Sequence, residues 1–139
     1  MAKDYYHELV RDPLVADGWT IVSDPFRITT VPKREYVEVD LSVEKLIGAR
    51  KDALEIAVEV KSFLNPSPIH DFHQAVGQYI IYRNALRLTN QSHELYLAIP
   101  LESYQFLMQG LLAPATIQSD GVNVLVFDPD HEIIVKWIT

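Results

Sequence analysis

The chain has 139 residues, nearly half of them apolar, with modest glycine and proline content, which suits one folded domain with a buried core and excludes a disordered chain. It contains no cysteine, so disulfides and thiolate metal sites are ruled out. No apolar run approaches the roughly 18 residues of a membrane span, nor is there an apolar leader, so a soluble cytoplasmic protein without membrane contact is expected. The net charge of −7 opposes simple nucleic-acid binding, which draws its affinity from lysine and arginine neutralising phosphates.

Along the chain, Asp4 can cap a first helix carrying Tyr6, Val10 and Leu14 on one stripe, with Pro13 kinking or splitting it and Gly18 as its stop. Short strands are expected at 19–23, 26–30 and 36–41, the first two separated by Asp24-Pro25. The stretch 42–53, with Gly48 and Arg50-Lys51-Asp52, reads as the turn region of a hairpin whose second strand is 54–61. Ser67 and Pro68 open a long helix to about Leu88, with Ile69, Phe72, Val76 and Ile80 as its apolar stripe, widened by Ala75, Tyr79, Tyr82 and Leu86. A buried strand at 95–99, a short helix through Leu101, Tyr104, Leu107, Met108 and Leu111, and strands at 122–127 and 133–138 complete the order. No repeat or linker divides it, so residues 1–139 are read as a single domain.

In the segment 54–61, Leu54, Ile56, Val58 and Val60 alternate with Glu55, Glu59 and Lys61. Period two is the signature of a strand, and it projects Glu59 and Lys61 side by side from one face. If the hairpin reading holds, Asp40 lies on a strand beside Glu59. Two carboxylates with a lysine are the minimal parts of a divalent-metal site for phosphodiester hydrolysis. Asp40 and Glu59 would be the hard-oxygen ligands of Mg²⁺ or Mn²⁺, the backbone carbonyl of Val60 a third oxygen, and water would fill the rest. Lys61 would orient the attacking water or stabilise developing charge.

Asp40, a hairpin-length spacer and Glu59-x-Lys61, with a helical acid at Glu8 and a following helix carrying Gln78, resemble the PD-(D/E)xK nuclease superfamily. Over nearly the whole chain, Gly18-Trp19-Thr20-Ile21, Asp24-Pro25, Val39-Asp40-Leu41, Glu44-Lys45-Leu46-Ile47, Ala57-Val58-Glu59-Val60-Lys61-Ser62-Phe63 and Gly77-Gln78-Tyr79 are similar to the fdxN-element excision controlling factors of the XisH type, a cyanobacterial family. The residue before Asp40 is Val39, where the superfamily pattern has proline. The resemblance implies a restriction-endonuclease-like α/β fold, a mixed β-sheet flanked by helices. It also implies a role in controlling excision of a DNA element, supporting parts for Glu8 and Gln78 in the site, and a companion factor of the XisI type.

Two functions follow as expectations. One is a Mg²⁺-dependent endonuclease, or a nuclease-derived factor, acting on DNA. The other is a non-catalytic regulatory protein of nuclease fold that binds a recombinase or companion factor, which the acidic balance favours. Whether the chain forms a homodimer is left open. Plainer readings stand beside these: Glu59 and Lys61 as an exposed cross-strand ion pair worth well under ~1 kcal/mol, Asp40 as a turn residue, His70 and His73 as ordinary first-turn residues, and His7, His93 and His131 as surface or turn groups. Lys33-Arg34, Arg50-Lys51, Arg83 and Arg87 read as solvated charges or as cations gathered on one side.

Overall fold

The structure, a computed structural model, describes residues 6–46 and 53–139. Its elements run α1 (His7–Ala16), β1 (Thr20–Ser23), β2 (Phe26–Val31), β3 (Glu35–Val39), β4 (Leu41–Leu46), β5 (Ala53–Val60), α2 (Pro68–Leu88), β6 (Glu94–Pro100), α3 (Leu101–Met108), α4 (Leu112–Ser119), β7 (Val124–Asp128) and β8 (Ile133–Ile138). Six strands form one mixed sheet in the order β1-β4-β5-β6-β7-β8, and β2 with β3 forms a separate hairpin. Within the sheet β5, β6 and β7 are parallel while β1, β4 and β8 pair antiparallel. This is an α/β fold, a mixed sheet with helices on both faces.

The alternation read in the sequence decides which side chains go to which face. Ile56, Val58 and Val60 join Leu41, Val43, Ala98, Leu125 and Phe127 under α1, which contributes Val10 and Leu14. Ala57 faces the other way with Leu97, Ile99 and Val126, beneath α2, α3, α4 and the β2–β3 hairpin. Glu55, Glu59 and Lys61 share the parity of Ala57 and so belong to the α2 side. The central strand of the parallel set, β6, is buried from Leu95 to Pro100, as its unbroken apolar run predicts.

Several local expectations are corrected. The Asp4 cap and the Gly48 turn lie outside the described residues. Pro13 does not split α1, which continues to Ala16, because Pro13 itself is buried with Val10 and Leu14 and that packing outweighs one missing backbone bond. Gly18, at φ +97°, takes the left-handed conformation that turns the chain out of α1 at no Cβ cost. The segment 36–41 is not one strand: β3 ends at Val39, and Leu41 begins β4 in the other sheet. Residues 41–46, read as turn, form that strand. The helix after β6 is followed by a second, α4, which was not foreseen.

In α2 the buried stripe is Phe72, Ala75, Tyr79, Tyr82, Ala85 and Leu86, whereas Ile69 and Ile80 are exposed. Ile69 and Ile80 share the outer face with His70, His73, Gln74 and Arg87, so the expected stripe holds through Phe72, Ala75, Tyr79, Tyr82 and Leu86 but not at those two. Ser67 Oγ accepts the His70 N–H at 3.2 Å, capping α2 as expected. Tyr79 anchors the helix, its hydroxyl donating to the Leu95 carbonyl at 3.0 Å and accepting the Asn123 N–H at 3.1 Å. Tyr79→Phe should therefore cost about 1–2 kcal/mol, because an inward backbone donor loses its partner. A urea midpoint lowered with an unchanged slope would show it; an unshifted midpoint would refute it.

Candidate metal centre

The antiparallel register of β4 and β5 pairs Leu41 with Val58, so Asp40, one residue earlier, stands opposite Glu59. Two backbone N–H groups bond to the two carboxylates. Val60 N–H donates to Asp40 Oδ2 at 2.7 Å, and Asp40 N–H donates to Glu59 Oε1 at 3.2 Å. Asp40 therefore sits where the chain leaves the hairpin and enters the sheet, its carboxylate satisfying the backbone at the end of β5. In an extended strand a residue's N–H and C=O face the same side, so Val60 also turns its carbonyl edge toward Asp40. Lys61 N–H continues the parallel ladder to the Ala98 carbonyl at 3.1 Å, while its Nζ lies 3.4 Å from Glu59 Oε2.

Glu59 is only 6% exposed, which overturns the reading of an ion pair on an open sheet face. Burial, and then the Asp40 charge, pushes its carboxyl from the ordinary 4.5 up to about 8, against the opposing pull of Lys61. Burial likewise raises Asp40, opposed by the Val60 N–H, by the neighbouring His7 and by hydrogen bonding with Glu59. Tyr82, on α2, is pushed to about 12, first by burial and then by Glu59, Asp40 and Glu38. With its carboxyl raised to about 8, Glu59 keeps a proton near neutral pH beside the Asp40 carboxyl. A divalent cation could take that proton's place.

The donors suit a hard ion: two carboxylates and a carbonyl edge, all oxygen. Among the described residues no group of three or more His, Asp or Glu side chains gathers closely enough to cage a metal, so water would have to complete the shell, as Mg²⁺ prefers.

The structure brings Asp40, Glu59, Val60 and Lys61 together. Glu8 is placed differently, on the exposed side of α1 with Oε2 3.7 Å from Arg11 Nη1. Gln78 is half-buried on α2, one turn before Tyr82, and its Oε1 is buried without a hydrogen-bond partner among the described residues. His7 is the residue the sequence reading missed. It is buried rather than a surface group, at 2% exposure. Its Nε2 lies 3.0 Å from Asp24 Oδ1 without hydrogen-bond alignment, and Asp24 Oδ2 is 3.4 Å from Arg11 Nε. The signal was present: His7, Val10 and Leu14 follow i, i+3, i+7, the phase of the buried stripe, and Glu8 is out of that phase. His70 and His73, with rings 6.3 Å apart, are exposed on α2 as expected.

Beside Lys61 a cavity of about 210 Å³ is bounded by Asn65, Asp71 and Gln74. Asn65 Nδ2 donates to Asp71 Oδ1 at 2.8 Å. Through Ser62, Phe63 and Leu64 it borders a larger cavity of about 560 Å³ at the carboxyl ends of β5, β6 and β7, on which Glu102, Asp128 and Asp130 open.

A family model described as XisH protein matches residues 1–135. This chain belongs to the XisH family. Among solved structures it is similar to an XisH family protein from Nostoc punctiforme PCC 73102, with 36% identity and a TM-score of 0.85 over 98% of this chain and 100% of that one. It is also similar to an fdxN element excision controlling factor protein from Anabaena variabilis, with 37% identity and a TM-score of 0.82 over 96% and 98%. No curated protein matches the chain. At such coverage and similarity the fold is shared with these two proteins over nearly its whole length. No helix among the described residues is long and apolar enough to cross a membrane.

Proposed function

We propose that this chain is a DNA-element excision controlling factor with a nuclease-type divalent-metal site acting on DNA phosphodiesters. The reading rests on one observation: the buried Glu59 and the half-buried Asp40 meet at the strand ends, Asp40 N–H donating to Glu59 Oε1 and Val60 N–H to Asp40 Oδ2, with Lys61 Nζ 3.4 Å from Glu59 Oε2. The excision role is taken from the similar Anabaena variabilis protein, which carries that description. The order of these residues on β4 and β5, with Gln78 and Tyr82 on the helix that follows, is consistent with a restriction-endonuclease-like PD-(D/E)xK arrangement.

Asp40, Glu59 and the Val60 carbonyl would hold Mg²⁺ or Mn²⁺, which when bound would neutralise phosphate charge and acidify a water. The chain's own residues have separate tasks. Glu59 accepts the Asp40 N–H and Asp40 accepts the Val60 N–H, so the donor oxygens are set before any ion arrives. Lys61 presents a cation to the same oxygens and to the cavity beyond, where it can neutralise a nonbridging phosphate oxygen. Gln78 offers an unpaired amide oxygen from above.

The test is direct. Purified protein with Mn²⁺ or Mg²⁺ should nick supercoiled, linear or branched DNA, and Asp40→Asn or Lys61→Ala should each slow this at least about 100-fold while far-UV circular dichroism stays unchanged. DNA left intact by a high protein ratio in both metals would remove the catalytic reading. The second reading, a non-catalytic protein of this fold that binds a recombinase or an XisI-type companion, is favoured by the net charge of −7 and by the acidic rim of the cavity of about 560 Å³. Basic partners, not DNA, would meet that rim.

A further inference from the structure

Four residues before Glu59 on the same face of β5 stands Glu55, about 13 Å away along the strand. Its carboxylate meets His93, at the approach to β6: His93 Nε2 lies 3.1 Å from Glu55 Oε2 and 3.1 Å from Ser42 Oγ. The His93 side chain is only 7% exposed, and its ring packs on Phe26 with centroids 4.8 Å apart. This corrects the expectation of a surface histidine. A carboxylate facing Nε2 fixes the ring hydrogen there. Nδ1 is buried and has no hydrogen-bond partner among the described residues.

His93 also borders a cavity of about 280 Å³, together with Arg83 and Arg87 of α2, Gln91 and Glu94. Arg83 and Arg87 are one helical turn apart, so both guanidinium stems lie along one side of α2. Arg83 Nη1 is committed to the carbonyls of Asp120 and Gly121, at 2.9 and 3.4 Å, but its Nε is buried without a partner. Arg87 is exposed and makes one long contact, 3.4 Å, to Asn84 Oδ1. One cavity thus collects two buried nitrogens lacking partners and a nearly unused guanidinium. A buried polar group without a partner is costly; an anion's oxygen would satisfy Arg83 Nε–H directly, whereas Nδ1, with the ring hydrogen on Nε2, needs an added proton before it can donate to one.

Three nitrogen groups from two separate elements outnumber the two oxygens of a carboxylate but suit the oxygens of a phosphate, which guanidinium also matches in geometry. Charge agrees: Arg83 and Arg87 outweigh Glu94 on the rim. Burial lowers the His93 pKa, opposed by Glu55 behind the imidazole, and a phosphate anion against Nδ1 would add the negative charge that draws a second proton onto the ring. We infer that this cavity is a phosphate-binding site in which Arg83, Arg87 and His93 hold the oxygens of one phosphate group. The group is either a phosphodiester of a DNA strand or a small phosphate ester. The site uses none of the metal-centre residues, so it stands or falls separately from the function proposed above.

The probe is inorganic phosphate, titrated without divalent cations at constant ionic strength while the His93 ring and the arginine Nε–H groups are followed by NMR. Saturable shifts at His93, Arg83 and Arg87 are expected. Arg87→Gln, at an exposed position that should not disturb folding, should weaken the apparent Kd about ten-fold or more. Shifts that do not saturate, that chloride reproduces, or that survive Arg87→Gln unchanged would overturn the site. Competition then separates the sources. Displacement by a short duplex without terminal phosphates assigns the group to a DNA backbone, displacement by glycerol phosphate assigns it to a small ester, and displacement by neither marks an adventitious ion only and overturns the proposal.

Discussion

Glu59→Gln should make the cation-free protein more stable than the wild type at pH 8 and above, and should abolish its stabilisation by Mg²⁺ or Mn²⁺. The reason is the proton on Glu59. Its carboxyl titrates near 4.5 in the unfolded chain and at about 8 in the folded one, so between those values the native state binds a proton that the unfolded chain has released. Stability linked to this group is complete below about pH 4.5 and declines as pH rises through about 8. The loss is on the order of a few kcal/mol, since each ten-fold change in proton affinity is worth about 1.4 kcal/mol. Glutamine keeps the shape, cannot ionise, and removes the like charge beside Asp40. A divalent cation compensates the same charge in the wild type, and at 100 times its Kd would add about 2.7 kcal/mol, an effect that should grow with pH. Chemical denaturation at pH 5, 7 and 9, with and without Mn²⁺, checks both halves. A wild-type stability that rises from pH 5 to 9 without metal, or an equal Mn²⁺ response in Glu59→Gln, would contradict the description of a protonated Glu59.

Phe127→Ala should be the most damaging single truncation of the core, at about 3–5 kcal/mol. Phe127 is fully buried on β7, in the cluster that seats Val10 and Leu14 of α1 against the sheet. Its ring also meets Tyr6 edge-on, with centroids 5.8 Å apart at 82°. A domain of this size has a total stability of roughly 5–15 kcal/mol, so a large part of the margin would go. α1, which carries His7, should loosen first. Faster amide exchange in residues 7–16 than in α2 would report that, and a midpoint shift equivalent to less than about 1 kcal/mol would show that the cavity collapses or that Phe127 is not the anchor.

Much of this molecule was legible before any coordinates. The strict alternation from Leu54 to Lys61 announced a strand and put Glu59 and Lys61 on one face, because strand geometry allows nothing else. Ser67-Pro68 marked the start of α2, and the unbroken apolar run at 95–99 marked a strand buried on both faces. Where a local rule had a single solution, the residues stated it. Where two solutions were equal, they did not. Residues 41–46 carry an alternation that was passed over for a turn, because Gly48 and the charged run beyond dominated the local pattern. In α2 the inner face was read correctly through Phe72, Ala75, Tyr79, Tyr82 and Leu86, but Ile69 and Ile80 were wrongly placed on it, because apolar residues also stand on the outer face. His93 looked like a loop histidine because its partners, Ser42 and Glu55, are distant in sequence.

Read alone, the chain determined its α/β class, the composition of its candidate site and the shared face of Glu59 and Lys61, all of which follow from short-range backbone periodicity and residue chemistry. Only the tertiary structure decided that Asp40 meets Glu59 across the β4–β5 register, that His7 rather than Glu8 turns inward, and that burial leaves Glu59 holding a proton. Those outcomes depend on long-range strand pairing and on removal from water, and neither is a property of any local stretch of sequence.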